Sequence, residues 1–210
     1  MRPIVSGPFT PAVASTTAFN AQGFTSTGVA TAPTTTSTTD GLAHYVTLTS
    51  PAQATLASIN FTIVGTDPDG HDISETIAGP ASASTVTSTK FFKTVSTIQP
   101  SATMGALTLA VGIAVTAISP TIPLTNSAAA AGMTVAVTGT INYTVYETFA
   151  NVYVHSANSV STPITALTSK TANTSGTASV SATGIILLVT SVTASATFTI
   201  WLNQNSSGLA

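Results

Sequence analysis

From Met133 to Phe149 every second residue (Met133, Val135, Val137, Gly139, Ile141, Tyr143, Val145, Glu147 and Phe149) falls on one side of an extended chain, and most of the residues between are threonine. A period of two gives a β-strand one apolar face and gives a helix none. The run is longer than the usual strand of roughly five or six residues. Either one long strand bends at Gly139 or two short strands meet there, because glycine inside a strand pattern marks a bulge or a bend.

The same period recurs along the chain. His44, Val46 and Leu48 alternate with Tyr45, Thr47 and Thr49; Ile59, Phe61 and Ile63 share a parity, as do Leu107, Leu109, Val111, Ile113 and Val115. In residues 57–98 the cluster Asp67-Pro68-Asp69-Gly70 is a turn with a mechanism, since Pro68 fixes φ at the first corner and Gly70 accepts φ > 0. Ile73 and Ile77 resume the alternation, Gly79-Pro80 turns again, and 86–98 follows, which reads as a three-stranded meander. In the last strand Ala196, Phe198, Ile200 and Leu202 should face inward and put Trp201 outside.

The expected fold is all-β, with two antiparallel β-sandwich or jelly-roll-like modules at 42–116 and 133–210. A linker at 117–132 carries Pro120, Pro123 and an alanine run too short for a stable helix. Residues 1–41, with Pro3, Pro8, Pro11 and Pro33 and few large apolar side chains, read as an extended N-terminal arm. Such a segment cannot offset its own ordering entropy, so it either docks on another subunit or stays a loose tail.

Charge narrows the functions. Four basic and six acidic residues in 210 give a net charge of −2, so no basic stripe exists to neutralise phosphates and nucleic-acid binding is not expected. Cysteine is absent, which removes disulfides and thiolate metal sites. The apolar region 105–124 alternates large and small residues and contains two prolines, the pattern of a strand and linker rather than of a membrane span. The N-terminal prolines interrupt any apolar run, so the start does not read as a secretory signal.

Few side chains offer chemistry. Asp67, Asp69 and Asp72 around Gly70 suggest a cation loop, but the calcium-loop spacing is missing and turn geometry explains them better. Glu75 shares parity with Ile73 and Ile77 and is expected to pair with Lys90 or Lys93 across the ladder. His44, His71 and His155 show no metal-binding spacing and read as surface or strand histidines. No nucleophile elbow, phosphate loop or dinucleotide fingerprint occurs, so neither an enzyme nor a cofactor is expected. Exposed aromatic residues, Trp201 and Tyr153, are the candidates for a contact surface on charge-free strands.

The order GTDPDG at 65–70, SETIAGP at 74–80 and KFFKTVSTI at 90–98 resembles a family of small virion proteins of tailed bacteriophages, and the resemblance continues at SPTIPL (119–124) and VTGTINYTVYETF (137–149). It implies a structural component of the particle, made in the host cytoplasm and carried in the virion. A capsid decoration or cement protein is the first expectation; a neck, collar or tail component and a receptor- or glycan-binding module are the alternatives. The implied partners are further copies of the chain, in a trimer or another ring, and the major capsid protein or neck and tail proteins. No catalytic residue comes with the resemblance.

Overall fold

The computed structural model describes residues 4–19, 21–23, 33, 36–50, 55–104, 108–124, 131–149 and 161–204. The described chain is all-β. Its strands are β1 (Ile4–Phe9), β2 (Ala21–Gly23), β3 (Ala43–Thr49), β4 (Asn60–Thr66), β5 (Asp72–Ala78), β6 (Thr85–Phe92), β7 (Thr94–Pro100) and β8 (Thr108–Ile118). They continue with β9 (Ile122–Pro123), β10 (Gly132–Thr138), β11 (Ile141–Thr148), β12 (Ser161–Pro163), β13 (Thr174–Thr177), β14 (Gly184–Val192) and β15 (Thr197–Asn203), and one 3-10 turn spans Thr165–Leu167. Antiparallel, sandwich-like sheets make up two compact units, Ala14–Val115 and the two segments Met1–Val13 and Thr116–Ala210.

In the Ala14–Val115 unit the hairpin is the one the sequence indicates: Asn60 opposes Ala78, Thr66 opposes Asp72, and the DPDG turn lies at the tip. The meander is not. The sheet order is β5-β4-β7, so β4 is central and the third stretch pairs with the first strand instead of the second. Residues 86–98 are two strands that part at Lys93, with β6 pairing with β3 and β7 with β4. Phe91 and Phe92 are both buried, and consecutive side chains of a regular strand point to opposite faces. Both faces of the chain are covered where it leaves one sheet for the other, and Phe91 stacks on Tyr45 at 4.0 Å there. Phe61 and Ile63 of β4, Val95 and Ile98 of β7, and Val46 and Leu48 of β3 lose all exposure. Each such side chain contributes about 1.5–3 kcal/mol by leaving water.

In the other unit, the long alternation resolves into two strands of different sheets. β10 lies in the sheet β1-β15-β10-β13, while β11 lies between β12 and β14. Gly139, with φ of +80°, makes the corner, and a Cβ on it would come within 3.0 Å of Ala196. Residues 4–9 of the expected arm are strand β1, with Ile4 opposite Leu202, Val5 opposite Trp201, and Phe9 stacked on Phe198 at 5.1 Å. Part of the expected linker is also strand, since Ile118 and Ile122 pair with Leu188 and Ile185 of β14. The alanine run at 128–131 falls mostly outside the described residues.

Tyr143 of β11 is wholly buried and its hydroxyl donates to Ala172 O at 2.9 Å. Burial pushes its phenol above the ordinary value, and a hydrogen bond with Thr174 offsets part of that rise. A folded chain that holds this proton longer than the unfolded chain has its full stability below the unfolded pKa of about 10 and loses it as the pH climbs from there towards the folded value. The urea midpoint should therefore fall more steeply between about pH 9 and about pH 11 in the native protein than in Tyr143→Phe, which has no phenol to ionise. Equal slopes would contradict this.

Candidate functional site

At the hairpin tip, Asp67 does turn chemistry. Asp67 is fully buried, and its Oδ1 accepts the N–H groups of Asp69 and His71 at 2.9 Å each. Its Oδ2 lies 3.2 Å from His71 Nδ1, and the Asp67 N–H closes the turn on His71 O at 2.8 Å. One carboxylate thus satisfies two backbone donors that the reversal would leave bare. Among the described residues no three histidine or acidic side chains group to hold a metal ion.

Glu75 points to the same side as Ile73 and Ile77, but it does not take a lysine ammonium. Oε1 accepts from Thr89 N and Thr89 Oγ1 at 2.8 and 2.9 Å, and Oε2 accepts from Lys90 N at 2.9 Å. The Lys90 ammonium donates to Ser74 O at 2.8 Å, and Lys93 gives its backbone N–H to Thr66 O. These bonds tie the open edge of β5 to β6, which a carboxylate does better than an exposed ion pair because it satisfies backbone donors directly.

His44 is a strand histidine, as expected, but it lies at 0% exposure rather than at the surface. Its Nε2 is 2.7 Å from Asp40 Oδ2 and its Nδ1 is 3.0 Å from Ala114 O. Asp40 Oδ1 in turn accepts from Thr38 Oγ1 at 2.8 Å and from Leu42 N at 3.1 Å. Both ring nitrogens are engaged and out of reach of solvent, so the arrangement fastens the 38–42 loop to β3 and β8 and offers no proton to a substrate. His71 is partly exposed beside Asp67, and His155 lies outside the described residues.

Trp201 projects from the outer face of β15, 44% exposed, while Ala196, Phe198, Ile200 and Leu202 face inward. The ladder register places Val5, Trp201, Thr134 and Ser175 in one row across the four strands. Val5 is exposed beside it, and Thr134 Oγ1 and Ser175 Oγ bond at 2.9 Å. None of β1, β15, β10 and β13 contains a charged residue. Tyr153, the other aromatic candidate, lies outside the described residues.

A cleft of about 520 Å³ opens in the same unit, between Thr162 and Pro163 of β12, the 3-10 turn, and Gly176 and Thr177 at the end of β13. Glu147 of β11 lines it at 8% exposure, with Oε2 accepting from Ser179 N at 2.6 Å and Oε1 from Ser179 Oγ at 2.7 Å. Sequence reasoning did not single out this acid. The signal was its parity: Glu147 continues the inward row of Ile141, Tyr143 and Val145, where a carboxylate needs a special partner.

The described residues thus form an all-β chain of antiparallel, sandwich-like sheets that presents an uncharged sheet face and a cleft lined by Glu147. No protein-family model, curated protein or solved structure matches it. Among the described residues, no helix is long and apolar enough to cross a membrane.

Proposed function

We propose that this chain is a structural component of a tailed-bacteriophage virion, a decoration or cement protein that stabilises the capsid shell through protein–protein contacts. The observation that carries the reading is the outer face of the sheet β1-β15-β10-β13, where Trp201 and Val5 stand exposed among threonine and serine with no charge on any of the four strands. A partner can cover such a face without desolvating an ion, and aromatic residues are enriched in interface cores. Copies of the chain forming a trimer or another ring, seated on the major capsid protein, are the partners that fit. A place in the neck, collar or tail uses the same chemistry. The exposed indole of Trp201 favours one other reading, a glycan- or receptor-binding module, in which Trp201→Ala abolishes host-cell binding.

Quantitative mass spectrometry of purified particles tests the proposal by counting copies of the chain against the major capsid protein. Hundreds of copies are expected for a shell protein, roughly a dozen would move it to the neck or tail, and none would overturn the virion reading. The isolated oligomer is expected to persist in about 1 M NaCl, because screening acts on charges that this face does not have. Its dissociation there would refute the uncharged contact.

A further inference from the structure

We infer that the cleft over Glu147 is a binding site for an organic cation, a guanidinium or ammonium group on a flexible stem. Glu147 is the one charged residue among those lining the cleft, and it is more than nine-tenths buried. Among the described residues no lysine, arginine or histidine pairs with it; its bonds run to the N–H and hydroxyl of Ser179. Each carboxylate oxygen therefore accepts one hydrogen bond and keeps lone-pair capacity for another. Two acceptors side by side match the parallel N–H groups of a guanidinium or two of the three hydrogens of an ammonium.

The remaining walls agree with that ligand. Thr162, Thr165 and Thr177 bring hydroxyl groups that solvate a cation's outer hydrogens, while Pro163, Ile164 and Ala166 supply apolar surface for an alkyl stem. Anions are repelled by the carboxylate, and the lining residues include no aromatic ring on which a sugar could stack. A bare metal ion would need more ligands than one carboxylate. Nothing in this site depends on where the protein assembles.

The test is an amide NMR titration of the full-length protein with three probes: N-acetyl-arginine amide, agmatine, and the neutral isostere N-acetyl-citrulline amide. Saturable shifts of the Gly176, Thr177 and Ser179 amides are expected with both cations, and binding of the citrulline compound about tenfold weaker or less. Glu147→Gln should erase the preference for the cation. Glutamine can still accept from Ser179 N and donate to Ser179 Oγ, so its fold should survive. Should it not, Thr165→Lys, at an exposed rim position, places an ammonium in the cleft of a folded chain and should block both probes. Tighter binding of the arginine amide points to a basic side chain of another protein, and tighter binding of agmatine to a free amine; either supports the site. The proposal is overturned by absence of saturable shifts, by equal binding of the citrulline compound, or by unchanged cation binding in Glu147→Gln.

Discussion

Asp40→Ala will cost the Ala14–Val115 unit about 2–5 kcal/mol, the scale of two buried hydrogen-bonding groups left without their acceptor. The carboxylate is 3% exposed and joins three donors: Thr38 Oγ1, Leu42 N and His44 Nε2. Alanine leaves the Leu42 N–H and the His44 ring nitrogen buried without that acceptor, and stranded polar groups account for most of the loss. Domains of this size hold about 5–15 kcal/mol in total, so the variant loses a large share of its stability and its urea midpoint falls well below that of the native protein. Asp40→Asn should cost markedly less, because its carbonyl still accepts from Thr38 and Leu42 while its amide can donate to a neutral His44 Nε2. Urea denaturation of the three proteins reads the difference. If the alanine and asparagine variants unfold at the same midpoint, the carboxylate is not the centre of this network.

What could be read from the sequence was what depends on near neighbours. Period two gave the strands, Pro68 and Gly70 gave the β4–β5 reversal, and the parity of the last strand put Trp201 outside. What failed depends on partners distant in the chain. The 86–98 stretch looks continuous because nothing local says that Phe92 will oppose His44 while Thr94 opposes Thr66. His44 shared its parity with Val46 and Leu48, so burial was legible there, yet one of its two partners is Ala114. Glu147 was likewise legible as an inward acid, but Ser179, which bonds to both of its oxygens, comes from beyond β13. The expected Glu75 ion pair failed for a different reason: β5 and β6 meet at an open edge, where bare backbone N–H groups compete for a carboxylate more effectively than a solvated ammonium does.

Gly65→Ala should be the most damaging single-methyl change in the β4–β5 hairpin. A Cβ at Gly65 would sit 1.9 Å from the carbonyl oxygen of Thr94 and 2.8 Å from its carbon, both backbone atoms that cannot rotate away. The ladder shifts register between Val64 and Gly65, and β7 closes onto β4 there through Thr66 N–Thr94 Oγ1 at 3.1 Å and Lys93 N–Thr66 O at 2.8 Å. To admit the methyl, β7 must move away by more than an ångström, which breaks those bonds and opens the packing of Val95. Overpacking of this kind costs about 1–3 kcal/mol even where side chains can yield, and here only backbone can. Gly70 supplies the control. It has φ of +91° and nothing within 4 Å of its added Cβ, so Gly70→Ala carries only conformational strain, about 1 kcal/mol. Thermal and urea unfolding of the two variants separates close approach from backbone preference within one hairpin. Gly65→Ala should lose at least about twice the stability of Gly70→Ala; a smaller loss would mean that β7 does not press on β4 as closely as the ladder places it.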